Sequence, residues 1–163
     1  MFQRAGHLYI QLEKWEDAKV MFLMCAEDYK TAFSHFNLGV ACYHLGEYDE
    51  AERVLSLVNY MDPTNPETWA YLALVLLKKD EPPLNAAYQT MNEAIKLGIT
   101  SGDVMHEIAL SWLDLGCNKQ VFEALNATLK VKIASCGNTD KARFLKQCAL
   151  KLKDKTCEDV ELV

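Results

Sequence analysis

The chain has 163 residues, half of them apolar and a quarter charged, with seven glycines and four prolines. That balance excludes collagenous, low-complexity and disordered classes, because enough apolar surface exists to offset the entropy of ordering. The formal net charge of −6 argues against a nucleic-acid-binding domain.

The longest apolar run, Trp69 to Leu77, is nine residues, against roughly 20 needed to cross a bilayer. The polar start from Met1 to His7 leads into no apolar block of signal-peptide length, so neither a membrane span nor secretion is expected. Six cysteines (Cys25, Cys42, Cys117, Cys136, Cys148, Cys157) lie scattered without Cys-x-x-Cys spacing. Reduced thiols and a cytoplasmic location are the expectation.

From the N-terminus, apolar residues recur at helical spacing and turn residues interrupt them regularly, which predicts an internal repeat. Residues 1–31 predict a first helix pair, with Phe2, Gly6 and Tyr9 on one helix and Trp15, Ala18 and Phe22 on the next. Residues 32–65 give the clearest unit. Leu38-Gly39 and Cys42 mark its first helix, Gly46 suits a left-handed turn, Tyr48, Ala51 and Leu55 mark the second, and Pro63 stops it.

Residues 66–101 open on Asn65-Pro66, a cap followed by proline at the first helical position, and carry Trp69, Leu72-Ala73, Ala87, Met91 and Ala94. Their turn, Asp80-Glu81-Pro82-Pro83, is slightly longer. Residues 102–132 form a weaker fourth unit with Ile108-Ala109, Trp112, Gly116 and Leu125. Small residues (Gly39, Ala73, Ala109, Ala51, Ala87) stand where paired helices must approach closely, with Phe2, Tyr9, Trp69 and Trp112 filling the space beside them.

After Gly137-Asn138, Thr139 suits the cap of a separate helix over 139–155, with an apolar stripe of Ala142, Leu145, Ala149 and Leu152. Over residues 141–155, Lys141, Arg143, Lys146, Lys151, Lys153 and Lys155 face one acid, Asp154, so a basic segment follows an acidic body. It is expected to solvate the last repeat or, on a sharper reading, to bind an acidic partner. Residues 156–163 read as an acidic, frayed tail.

Leu38-Gly39, Gly46, Tyr48, Ala51, Pro63 and Asn65 resemble the motif of the tetratricopeptide repeat family. The departures are His35 for an aromatic, Cys42 for the first tyrosine, Leu55 for the phenylalanine and Val58 for an alanine. The resemblance implies an all-α, right-handed superhelical solenoid of about four helix-turn-helix repeats plus a C-terminal capping helix. A repeat array that begins directly on Phe2 predicts the end of a longer protein, or a fragment of one.

In such superhelices the first helix of each pair lines the concave side. A second apolar stripe lies on those helices, about 120° from the packed one at 100° per residue. It holds Phe33, Phe36, Val40 and Tyr43, with Ala70, Leu74, Leu77, Leu110 and Leu113 in later repeats. The expected partner-binding groove is therefore Phe33, Phe36, Val40, Tyr43, Leu74, Leu77, Leu110 and Leu113, holding an apolar or helical segment of another protein. The basic clamp by which some family members hold chaperone tails is not expected. Asn37 fits one of its places, but Gln3, His7, Glu67 and Tyr71 hold the others.

No catalytic constellation is found. His106-Glu107 opens like a zinc-protease helix, but Leu110 stands where the second histidine would be. His35 and Cys42 read as packing rather than as base and nucleophile. Cys25, Cys42, His7 and His44 offer no close ligand pair, and Asn126-Ala127-Thr128 is a glycosylation sequon in form only. Neither a metal nor a cofactor is expected. The sequence thus predicts a noncatalytic protein–protein interaction scaffold; the alternative is a regulatory or substrate-recognition repeat region of a larger enzyme. The runs Leu38 to Tyr43, Glu50-Ala51-Glu52 and Trp69 to Val75 are similar to repeats of a cilia- and flagella-associated protein. This implies a structural role at the axoneme, with dynein-arm or microtubule-associated components as partners.

Overall fold

The computed structural model describes residues 2–28 and 30–117, together with Gln120, Glu123, Ala124 and Ala127. Seven helices follow in order: α1 (Phe2–Gln11), α2 (Trp15–Asp28), α3 (Ala32–His44), α4 (Tyr48–Met61), α5 (Pro66–Leu77), α6 (Leu84–Lys96) and α7 (Gly102–Asp114). No strand occurs among the described residues. Gln120, Glu123, Ala124 and Ala127 are also helical, and both alanines join the core. The basic helix expected over 139–155 and the tail over 156–163 lie outside the described residues.

Local chemistry sets the boundaries. The Thr31 hydroxyl accepts from the Ser34 N–H at 3.2 Å to cap α3, and the Asn65 side chain accepts from the Glu67 N–H at 3.0 Å to cap α5, with Pro66 next. Between α3 and α4, Gly46 takes φ 77°, while its N–H and that of Glu47 return to the carbonyls of Tyr43 and Cys42. These two bonds satisfy carbonyls the helix end would leave free.

The helices pair as α1 with α2, α3 with α4 and α5 with α6; α2 packs on α3 and α4 on α5. Within pairs the approach is close. A Cβ on Gly39 would lie 2.8 Å from the Leu55 side chain, and one on Gly6 would lie 2.7 Å from the Phe22 ring. Phe22, Leu55, Met91 and Trp112 are fully buried between the layers. Of the other expected space-fillers, Tyr9 and Trp69 are half-buried, and Phe2 stays exposed at the edge of α1. The fourth unit departs from simple succession: α7 packs on α5.

Candidate docking surface

The first helices of successive units lie side by side, α3 beside α5 and α5 beside α7. The Tyr43 hydroxyl on α3 donates to Glu107 Oε1 on α7 at 2.5 Å. The bond reaches across α5, so the two side chains stand on one face of the α3–α5–α7 layer.

The expected groove residues divide on this face. Phe33, Leu110 and Leu113 are 47%, 47% and 46% exposed. Phe36 is partly buried, its ring edge-on to Tyr71 at 5.7 Å. Val40, Tyr43, Leu74 and Leu77, expected along an open stripe, are buried. Packing on α5 explains the difference: the Tyr43 ring lies 5.9 Å from the Tyr71 ring, and α7 packs on the same helix. Val40, Tyr43, Leu74 and Leu77 are thus covered, while Phe33 on α3 and Leu110 and Leu113 on α7 stay exposed.

Around the covered residues lies an aromatic cluster that sequence reading missed. Tyr43 stands 6.0 Å from Tyr48 and 5.2 Å from His44, and His44 stacks on Trp15 at 3.8 Å. Burial first, then the Glu107 bond, pushes the Tyr43 phenol far above its usual range. Burial, with Glu107 and Glu67 nearby, pushes Tyr71 up to about 12. Burial also lowers the His44 imidazole, against the opposing pull of Glu107 and Glu13. At the open α1 end, His7 meets Phe33 at 5.4 Å and the buried Phe22 at 5.7 Å.

Beside this cluster, Lys19, Leu23, Leu38, Cys42, Glu47 and Tyr48 line a depression of about 510 Å³. Lys19 Nζ pairs with both Glu47 oxygens at 2.5 and 2.6 Å, tying α2 to the α3–α4 turn. Cys42 lies beneath it, fully buried, and burial pushes its thiol up to about 11. That thiol is protonated near neutral pH and is a poor nucleophile. His35 instead spends Nδ1 on the Thr31 carbonyl at 2.9 Å. Among the described residues no group of three metal-ligating side chains converges, and no helix is long and apolar enough to cross a membrane.

This arrangement of stacked helix pairs fits the family described as the cilia and flagella-associated protein 70 C-terminal domain, which the sequence matches over residues 1–158. The chain belongs to that family. Cilia- and flagella-associated protein 70 of Macaca fascicularis and of Homo sapiens are each 40% identical to it over 78 residues, 48% of this chain. The matched stretch is 8% and 7% of those two proteins. Among solved structures, a MamA protein covers 98% of the chain and 90% of its own at TM-score 0.63 and 20% identity. YrrB, described as a TPR protein with an unusual peptide-binding site, covers 94% and 73% at TM-score 0.65 and 16% identity. A thermophilic TPR protein of Thermus thermophilus, TTC0263, covers 99% and 100% at TM-score 0.65 and 14% identity. The fold is therefore an all-α tetratricopeptide-type repeat, and the domain is of the cilia- and flagella-associated protein 70 kind.

Proposed function

We propose that the domain is a noncatalytic interaction scaffold that holds an apolar or helical segment of another protein on its concave face, within a ciliary or axonemal assembly. The observation that carries this reading is the set of large apolar side chains, Phe33, Leu110 and Leu113, left open on the inner face of a repeat fold. Exposed apolar groups on separate helices of one layer suit an extended or helical ligand better than a small molecule. The covered residues Val40, Tyr43, Leu74 and Leu77 then form the floor that positions them, with Phe36 between. Membership of the cilia- and flagella-associated family supports an axonemal setting, with dynein-arm or microtubule-associated components as the partners.

The experiment is co-sedimentation of the purified chain with demembranated axonemes. The wild type is expected in the pellet, and Phe33→Glu and Leu110→Glu in the supernatant while retaining wild-type melting. Co-sedimentation of both variants at the wild-type level would place binding elsewhere.

A further inference from the structure

We infer that the partner segment carries a basic residue, which docks on the α3–α5–α7 face against Glu67, Tyr71 and Glu107. This rests on the partner-docking reading above and gives that partner its chemistry. Glu67 and Tyr71 stand at i and i+4 on α5, one turn apart on one side of the helix. Glu107 joins them from α7, because the Tyr43 phenol that donates to it belongs to a ring 5.9 Å from the Tyr71 ring. All three side chains are half-buried. After burial itself, the charges of Glu107 and Glu67 are what push the Tyr71 phenol up, as carboxylates close to it must.

Both carboxylates are held in place, and neither is neutralised. Glu67 Oε1 accepts from the Ser101 N–H at 3.1 Å and the Thr100 hydroxyl at 3.2 Å, and Glu107 Oε1 accepts from Tyr43. The Oε2 atom of each has no hydrogen-bond partner among the described residues, and neither side chain forms an ion pair there. The layer itself supplies no cation. α3, α5 and α7 contain no lysine or arginine, and Arg4 of α1 is the only one in the four first helices. His44, which feels Glu107, favours its neutral form.

An incoming segment must therefore bring the charge. Two positioned carboxylates beside the aromatic rings of Tyr71 and Phe36 suit a guanidinium, which donates from a planar fork and is attracted to aromatic rings. The exposed Phe33 ring supplies apolar area for the rest of the segment. An acidic segment would meet repulsion from both carboxylates.

The test is fluorescence anisotropy of the full chain with two labelled helical peptides of about 18 residues, at low ionic strength. One has a leucine stripe flanked by arginines; the other has glutamine at every arginine. The arginine peptide is expected to bind roughly tenfold more tightly or better. Glu67→Gln and Glu107→Gln keep a carbonyl to accept the Ser101 and Tyr43 bonds, and together they should abolish that preference. Glu67→Gln alone, which leaves the Tyr43 bond intact, should reduce it, so the outcome does not hang on how the Glu107 variant folds. Asp80→Asn/Glu81→Gln, at the α5–α6 turn, should leave it unchanged. Phe33→Ala reads the apolar docking surface separately and should weaken both peptides alike. Equal binding of the two peptides overturns the inference and leaves the apolar surface standing. A preference that survives Glu67→Gln/Glu107→Gln overturns it, as does one lost equally in Asp80→Asn/Glu81→Gln, which would assign it to the overall negative charge. Binding of neither peptide overturns both the inference and the reading on which it rests.

Discussion

Tyr43 and Glu107 are 64 positions apart in sequence, yet the phenol of one donates to the carboxylate of the other at 2.5 Å. The pair links α3 to α7 across α5, on a stripe that the sequence presents as open and continuous. Removing the bond without removing the ring isolates its contribution. Tyr43→Phe is expected to cost about 1.5–3 kcal/mol, the range for a hydrogen bond to a charged group. Combined with Glu107→Gln, the double variant should cost clearly less than the sum of the two single changes, as read by urea denaturation.

Charging the stripe should separate its sealed and open parts. Leu74 is fully buried, so Leu74→Glu is expected to destabilise by about 3–5 kcal/mol, as an uncompensated buried charge does. Leu110 is about half exposed, and Leu110→Glu should stay within about 0.5 kcal/mol. Thermal melts of the two variants decide the matter; equal melting temperatures would contradict the burial difference.

The close approach of α3 and α4 sets a third expectation. A Cβ on Gly39 would meet Leu55 Cγ and Cδ2 at 2.8 Å. Gly39→Leu should therefore cost more than about 1–3 kcal/mol by overpacking. Adding Leu55→Ala should recover part of that loss, because the two sites share one space. Additive losses would show that the strain lies elsewhere.

Glu13 takes φ 54° at the turn between α1 and α2, the place that Gly46 fills in the next unit. A left-handed conformation costs an L-residue about 1–2 kcal/mol, and glycine returns part of that gain as greater freedom in the unfolded chain. Glu13→Gly is expected to stabilise by about 0.5–1 kcal/mol and to raise the melting temperature by about 1–4 °C. A fall on calorimetry would show that the Glu13 side chain contributes more than its backbone costs.

His44 is exposed as a residue, but partial desolvation of its imidazole, whose ring stacks on Trp15 at 3.8 Å, lowers it below its ordinary 6.5, so the folded state favours the neutral ring. The unfolded chain then binds the extra proton first as pH falls. The stabilising contribution is present above about pH 6.5 and is lost as pH drops through the folded value. His44→Phe keeps a ring on Trp15 and does not titrate. Its stability should fall less than that of the wild type between about pH 7 and 5, measured by denaturation at each pH.

The repeat was legible because its determinants are local. Gly46 ends a helix by its own backbone freedom, Asn65-Pro66 starts one, and Gly39 opposite Leu55 follows from the spacing of small and large residues within one pair. Helical periodicity likewise put Phe33, Tyr43, Leu74 and Leu110 on one expected stripe. What periodicity could not give was the exposure of each residue on that face. Exposure depends on how successive units pack on one another at the α2–α3, α4–α5 and α5–α7 contacts, which no single stretch of sequence encodes. Only the tertiary structure brought Tyr43 to Glu107, and in doing so decided that Leu74 is core while Leu110 is surface.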